Sequence, residues 1–338
     1  MKRTALLFAA AWLIVAAAAC SDDDGSGAAT DTGVPATDLT LMLNWTPNTH
    51  HLGVYVAEQR GWYDEAGLDL RIIEPGEGGV NEAVASGRAD VGISVAEEVL
   101  PARAAGVPVV SIAAILPIND SSLMALGDSG ITRPRDLEGK TYGGYGGALE
   151  TELITRLIEC DGGDPSRLRM VEVGDVDYLA GMERGTYDVV WVFSGWDALR
   201  ATAVEGRTIS EIRFADHVDC IPNWYTPVFV ASESAIAERS DVLRSFLAAT
   251  ARGYAAAAEQ PEEAASDFLA AVPEADPALV KASADYYAGL FSAPDTPWGE
   301  QELEVWTSFG IFADEAGLLS EPVDPSKAFT NALLPPSG

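Results

Sequence analysis

The chain is poor in basic residues, histidine and cysteine, and each scarcity excludes something. Only 21 lysines and arginines stand against 52 aspartates and glutamates, for a formal net charge of −31. Nucleic-acid binding rests on basic patches, and a surface that concentrates anions needs the same sign, so neither role fits. The acid excess reads as solubility or adaptation to salt. Of the three histidines, His50 and His51 are adjacent and His217 is distant, which is not metal-ligand spacing. No metal site and no cofactor is expected. No Gly-x-Ser-x-Gly turn marks a nucleophile. The run Gly143-Gly144-Tyr145-Gly146-Gly147 lacks the Lys-Ser/Thr ending of a P-loop. No catalytic residue is therefore assigned, and the chain is read as a non-enzyme.

One apolar stretch stands out, at the very start. Lys2 and Arg3 precede an apolar run from Ala5 to Ala16, and Ala17, Ala18 and Ala19 lead to Cys20. This is the pattern of an export signal. It is shorter than the roughly 20 apolar residues of a membrane span. A cysteine directly after small residues suggests a bacterial lipoprotein signal over residues 1–19, with Cys20 as the lipidated residue. The alternative is plain secretion with an incidental Cys20. Residues 20–37, rich in Asp, Gly, Ser and Thr, carry no apolar period and read as a flexible tether. The expected location is extracytoplasmic, held at the cell membrane through the lipid alone. That compartment permits disulfides. With Cys20 lipidated, Cys160 and Cys220 remain, either as a bonded pair or as two buried thiols.

The body beyond residue 38 is long enough for a sizeable core and two lobes. Short apolar runs at Leu39–Leu43, Leu68–Ile73, Ala89–Ser94 and Val109–Leu116 read as strands, and the segments between them as helices. A second alternating stretch follows Pro134, with strands at Gly139–Tyr142, Leu168–Val173, Asp188–Phe193 and Tyr225–Ala231. Ala148–Cys160 has helical spacing, with Leu149, Leu153, Ile154, Leu157 and Ile158 on one face. From Arg239 onward the chain is helical and alanine-rich. Strand–helix alternation implies an α/β fold with mostly parallel sheets.

In such sheets ligands bind at the carboxyl ends of strands. Four loops at those ends share an aromatic and polar composition. They hold Asn44, Trp45 and Asn48; Glu97 and Glu98, of which Glu98 is the preferred candidate; Tyr145 and Glu150; and Ser194 and Trp196, just after Trp191. A fifth segment, Asn223-Trp224-Tyr225, precedes a strand. Aromatic faces stack on a flat ring, while amides and carboxylates read its nitrogens and amines. Each has a plainer reading: a loop tryptophan can cap the core, the two glutamates can be a solvated helix start, and the glycine run can cradle a phosphate at a helix N-terminus.

Several stretches resemble the binding proteins for thiamine pyrimidine precursors. They are Leu43-Asn44-Trp45-Thr46-Pro47-Asn48-Thr49-His50-His51, Gly61-Trp62-Tyr63-Asp64, Val84-Ala85-Ser86-Gly87-Arg88-Ala89-Asp90-Val91-Gly92, Ser194-Gly195-Trp196, and Tyr225-Thr226-Pro227-Val228. The resemblance implies a two-lobed periplasmic-binding-protein-like fold (type II), with the ligand cleft between lobes at 38–125 plus 229–338 and at 126–228. It places hinges near Asn119–Leu126 and Thr226–Val230. It implies a receptor that hands formylaminopyrimidine or hydroxymethylpyrimidine to an ABC permease and ATPase; a monomer is the default, since the sequence gives no basis for an oligomer. The wider family also holds riboflavin-, sulfonate- and taurine-type binders, and a fungal enzyme that makes the pyrimidine by consuming its own histidine. That enzyme carries a cysteine-rich cluster where this chain has Pro222-Asn223-Trp224-Tyr225-Thr226, and its histidine falls where Glu98 stands. Ser194 and Val95 replace rings usual in the pyrimidine binders, so a wider cleft for riboflavin or another heterocycle is the alternative. A pyrimidine-biosynthetic enzyme and a ligand sensor for a signalling partner are the other two readings.

Overall fold

A computed structural model describes residues 36–336 except 77, 175 and 292–295. The expected signal and Cys20 lie outside the described residues.

The first sheet is built from β1 (Thr37–Met42), β2 (Leu68–Ile73), β3 (Val91–Ser94) and β4 (Val109–Ala114). Between them run α1 (Leu52–Gln59), α2 (Trp62–Glu65), α3 (Val80–Ala85) and α4 (Ala96–Ala104). The chain then crosses to a second sheet through residues 115–120. That sheet contains β5 (Ser121–Leu126), β6 (Thr141–Gly144), β7 (Arg169–Glu172), β8 (Val189–Phe193) and β9 (Ile209–Arg213), with α5 (Ala148–Cys160) and α6 (Tyr178–Glu183). A return crossover over 214–227 leads to β10 (Val228–Ser232), back in the first sheet. The helices α7 (Glu233–Glu238), α8 (Ser240–Glu259), α9 (Pro261–Ala271), α10 (Pro277–Ala288) and α11 (Leu303–Glu315) follow.

The strand orders are β2-β1-β3-β10-β4 and β7-β6-β8-β5-β9. In each sheet the strand next to a crossover runs against its neighbours: β10 is antiparallel to β3 and β4, and β5 to β8 and β9. The remaining pairs are parallel, with Thr37 opposite Leu68 and Met42 opposite Ile73. This is the α/β, two-lobed, type II arrangement expected from the sequence. One boundary moves. β5 belongs to the second sheet, so 121–125 go with the second lobe, and the crossovers are 115–120 and 214–227 rather than the flanking strands themselves. β9, on a sheet edge, was not foreseen. The helix expected over 196–203 is present but wound as two π-turns, Ser194–Ala198 and Arg200–Val204.

Helix α8 buries Leu243, Phe246, Leu247, Thr250, Gly253, Tyr254 and Ala257, the stripe that a 3.6-residue period brings to one face. It packs on α1 with backbone nearly touching backbone. A Cβ at Gly253 would overlap the Gly53 carbonyl oxygen, and one at Gly53 would enter the Tyr254 ring. Gly253→Ala is expected to cost about 1–3 kcal/mol by overpacking, read as a lower urea midpoint; an unchanged midpoint would mean the helices can part freely. Cys160, at the end of α5, is disulfide-bonded to Cys220 in the return crossover, with Cα atoms 5.7 Å apart. Among the described residues no helix is long and apolar enough to cross a membrane.

Candidate ligand-binding site

The loops after β1, β3, β6 and β8 all leave the carboxyl ends of their strands. The loop after β1 is organised from within. Asn48 caps a 3-10 turn over Thr49–His51: its Oδ1 accepts from the His50 N–H at 2.9 Å, and its own N–H donates to His51 Nδ1 at 3.3 Å. Because His51 Nδ1 accepts, the proton sits on Nε2, which donates to Asn44 Oδ1 at 2.9 Å. Burial pushes His51 down to about 3, with the His50 charge as a smaller cause, so the ring stays neutral. The bond turns the Asn44 oxygen inward. The Asn44 NH2 finds no partner among the described residues. Next to it Trp45 is 45 % exposed. A half-buried amide beside an open indole can hydrogen-bond a ring acceptor and stack on its face.

The glycine-rich turn after β6 does not cradle an anion. The Glu150 carboxylate accepts from the backbone N–H of Tyr145 at 3.0 and 3.1 Å, from that of Gly147 at 3.0 Å, and from the Tyr142 hydroxyl at 2.8 Å. An internal carboxylate thus takes the amides a phosphate would use. Glu150 is a buried organiser of its loop, and Tyr145, 52 % exposed, is the residue the loop presents. Its hydroxyl lies 3.0 Å from that of Tyr178.

After β3 the two glutamates part company. Glu98 is exposed. Glu97 turns inward towards Trp224 and Thr226, its Oε2 out of solvent contact and without a partner. Burial is the largest influence and pushes its carboxyl up to about 8.

The Asn223-Trp224-Tyr225 segment is structural, contrary to the expectation that it lines the cleft. Asn223 clamps the two crossovers together: its Oδ1 accepts from the Asn119 N–H at 3.0 Å and its Nδ2 donates to the Pro117 carbonyl at 3.2 Å. Trp224 is 1 % exposed and stacks on Phe309 of α11 at 5.2 Å. Tyr225 is buried, and its hydroxyl accepts from the Glu302 N–H at 2.9 Å. Trp191 is half-buried against Phe214 and Trp224. Ser194 does not open the cleft wall either; it is buried, and its hydroxyl donates to Glu211 at 2.7 Å. Trp196 is half-buried against the helices of the first lobe. Asn44, Trp45, Glu98, Tyr145 and Trp196 therefore remain able to meet a ligand, Asn48, Glu150, Ser194, Asn223, Trp224 and Tyr225 hold the scaffold, and half-buried Trp191 packs on Phe214 and Trp224 without being sealed from solvent. A surface groove of about 400 Å³ between the return crossover and α11 takes in Asn223 but none of those five.

Sequence reasoning missed the group where the β1 loop meets the β8 turn. The His50 ring sits edge-on to Phe193 at 5.0 Å and against Tyr287 at 4.8 Å. Asp120, Tyr286, Tyr287 and Ser283 complete this contact. Their partners are 75 to 234 residues apart in the chain, a separation no local pattern records. Among the described residues no group of His, Cys, Asp or Glu is arranged to hold a metal.

The family model described as NMT1/THI5 like matches residues 48–264. The chain belongs to this family. A formylaminopyrimidine-binding protein of Halalkalibacterium halodurans is 28 % identical over 299 residues, covering 86 % of this chain and 89 % of the relative. A 4-amino-5-hydroxymethyl-2-methylpyrimidine phosphate synthase of Legionella pneumophila is also 28 % identical, over 88 % of this chain and 92 % of the relative. Among solved structures, the periplasmic aliphatic sulphonate binding protein SsuA from Escherichia coli superposes with a TM-score of 0.67 at 15 % identity, over 88 % of this chain and 92 % of that one. That likeness is one of fold: this chain has the periplasmic-binding-protein architecture.

Proposed function

We propose that this NMT1/THI5-like chain is the extracytoplasmic receptor of an ABC importer, anchored as a lipoprotein through Cys20, and that it binds an unphosphorylated thiamine pyrimidine precursor of the formylaminopyrimidine or hydroxymethylpyrimidine type. The observation that carries the reading is the Asn44–Trp45 pair, an amide oriented by His51 beside an exposed indole. An amide donor beside a stacking face suits a small heterocycle with ring-nitrogen acceptors. The relative named for formylaminopyrimidine binding supports the same ligand class. Glu150 on the amides of the β6 turn favours a ligand without phosphate there. Lobes 36–120 plus 228–336 and 121–227 would close on the ligand by rotation about the two crossovers, the two-state response that differential affinity drives.

Thermal unfolding of the body from Thr37 onward against formylaminopyrimidine, hydroxymethylpyrimidine, thiamine, riboflavin and taurine tests the reading. Binding to the native state alone adds about 2.7 kcal/mol at a hundredfold excess over Kd. A rise in Tm with a pyrimidine is expected. Trp45→Ala should then weaken binding on the order of tenfold, from lost stacking and burial, and leave the ligand-free Tm unchanged. A rise with riboflavin alone would keep the transport role and replace the ligand; wild-type affinity in Trp45→Ala would remove the indole from the site.

The synthase relatives favour a second reading, a pyrimidine-forming enzyme. Release of a pyrimidine phosphate by the purified protein would establish it. The segment Pro222–Thr226, free of cysteine and built into the core and hinge, argues against it.

A further inference from the structure

At the contact between the lobes, one carboxylate gathers three elements. Asp120 ends the first crossover and is 4 % exposed. Its Oδ1 accepts from the Tyr286 hydroxyl at 2.7 Å. Its Oδ2 accepts from the Tyr287 hydroxyl at 2.6 Å and from the Gly195 N–H at 3.0 Å. Its backbone carbonyl accepts from the Ser194 N–H at 3.1 Å. Tyr286 and Tyr287 close the last turn of α10, which packs on α8 and α9 of the first lobe. Gly195 opens the π-turn that carries Trp196 in the second.

One turn earlier on α10, Ser283 makes a second bridge. Its hydroxyl donates to the Gly195 carbonyl and is hydrogen-bonded to the Thr49 hydroxyl. Thr49 is fully buried in the loop that presents Asn44 and Trp45. Two of the loops with candidate ligand contacts, one from each sheet, are thus tied to a single helix, and Asp120 ties that helix to the crossover. Charge-assisted bonds to a carboxylate are roughly twice as strong as neutral ones. A desolvated carboxylate with three donors tolerates little displacement, because each lost donor leaves charge uncompensated.

We propose that Asp120 is a positioning residue for the ligand site: through Tyr286, Tyr287 and Gly195 it sets the angle between the lobes, and so the distance across the cleft from Asn44 and Trp45 to Trp196. Its effect on affinity rests on the ligand-binding reading above; its effect on shape does not. Asp120 touches no ligand in this scheme. It acts through α10.

The test uses Asp120→Asn, with Tyr286→Phe/Tyr287→Phe as a second variant should the first not fold, and Gly253→Ala as a destabilised control that leaves every partner of Asp120 in place. Small-angle scattering of the unliganded body reads the lobe angle, and calorimetry reads Kd for whichever panel compound shifts wild type. The expected result is a larger radius of gyration in both contact variants, a Kd raised on the order of tenfold or more, and a wild-type radius in Gly253→Ala. A lower Tm with wild-type radius and wild-type Kd would make Asp120 merely structural and overturn the proposal. If wild type binds no compound of the panel, the ligand reading fails by itself. The radius then decides alone: enlarged in the contact variants upholds the positioning role, unchanged overturns it.

Discussion

Trp224→Ala is expected to lower the unfolding free energy by about 3–5 kcal/mol, the usual cost of truncating a buried large aromatic. The indole is 1 % exposed. It stacks on Phe309 of α11 at an interplanar angle of 23°, and meets Phe214 at 6.0 Å and Trp191 at 6.3 Å. Phe214 and Trp191 come from the second lobe and Phe309 from the first, so the side chain plugs a core shared across the return crossover. Alanine would leave a cavity that none of these rings can fill without leaving its rotamer. Against a typical total of 5–15 kcal/mol, this is a large fraction. Urea unfolding should show a strongly reduced midpoint in Trp224→Ala and a wild-type midpoint in Trp45→Ala. A wild-type midpoint in Trp224→Ala would mean that the indole is not core and would return it to the ligand site.

The contrast between these two tryptophans marks what the sequence could and could not say. Both stand in short polar-aromatic segments next to a strand, and composition cannot separate a ring that waits for a ligand from one that stacks on another helix. Phe309 lies 85 residues beyond Trp224, and only the fold brings them together. The strand–helix alternation was legible because its period is local, and the crossing of the chain between two sheets followed from the family resemblance. β9 carries little signal because it is an edge strand in which Ile209, Ser210 and Glu211 are all half-buried and only Ile212 is buried, so no apolar-polar alternation stands out. Glu150 shows a third kind of miss. Its place at the third residue of α5 lets its carboxylate accept from the N–H of the capping residue Gly147 at 3.0 Å, a local arrangement that outweighs a ligand role.

As pH falls below 6.5, His50 and His51 should each withdraw stability from the fold. Burial pushes both down to about 3 from an ordinary value of 6.5. A base whose folded-state pKa is depressed contributes stability that is fully present above 6.5 and is lost as pH falls from 6.5 towards 3, because the unfolded chain takes up protons that the native state refuses. Each ring then contributes a slope of about 1.4 kcal/mol per pH unit. Glu97 has the opposite sign. Its carboxyl, raised from 4.5 to about 8, favours the native state below 4.5, and that contribution is lost as pH rises through 8. Glu58, Glu98, Asp120 and Asp197 are raised by burial as well and share that sign, so the pull of the histidines shows only against a reference that lacks it. His50→Phe isolates one ring. The His50 Nε2 is buried without a partner, so phenylalanine removes no side-chain hydrogen bond and keeps the aromatic contacts to Phe193 and Tyr287. The backbone bonds of residue 50, from its N–H to Asn48 and from the Tyr254 hydroxyl to its carbonyl at 2.7 Å, do not depend on the side chain. Urea unfolding at pH 7.0, 6.0 and 5.0 should show the variant gaining on wild type by about 1.4 kcal/mol for each unit below 6.5. Parallel pH profiles would mean that His50 takes up its proton inside the folded protein. Since that ring lies against Phe193 of one lobe and Tyr287 of the other, the contact would then have to open without unfolding the body.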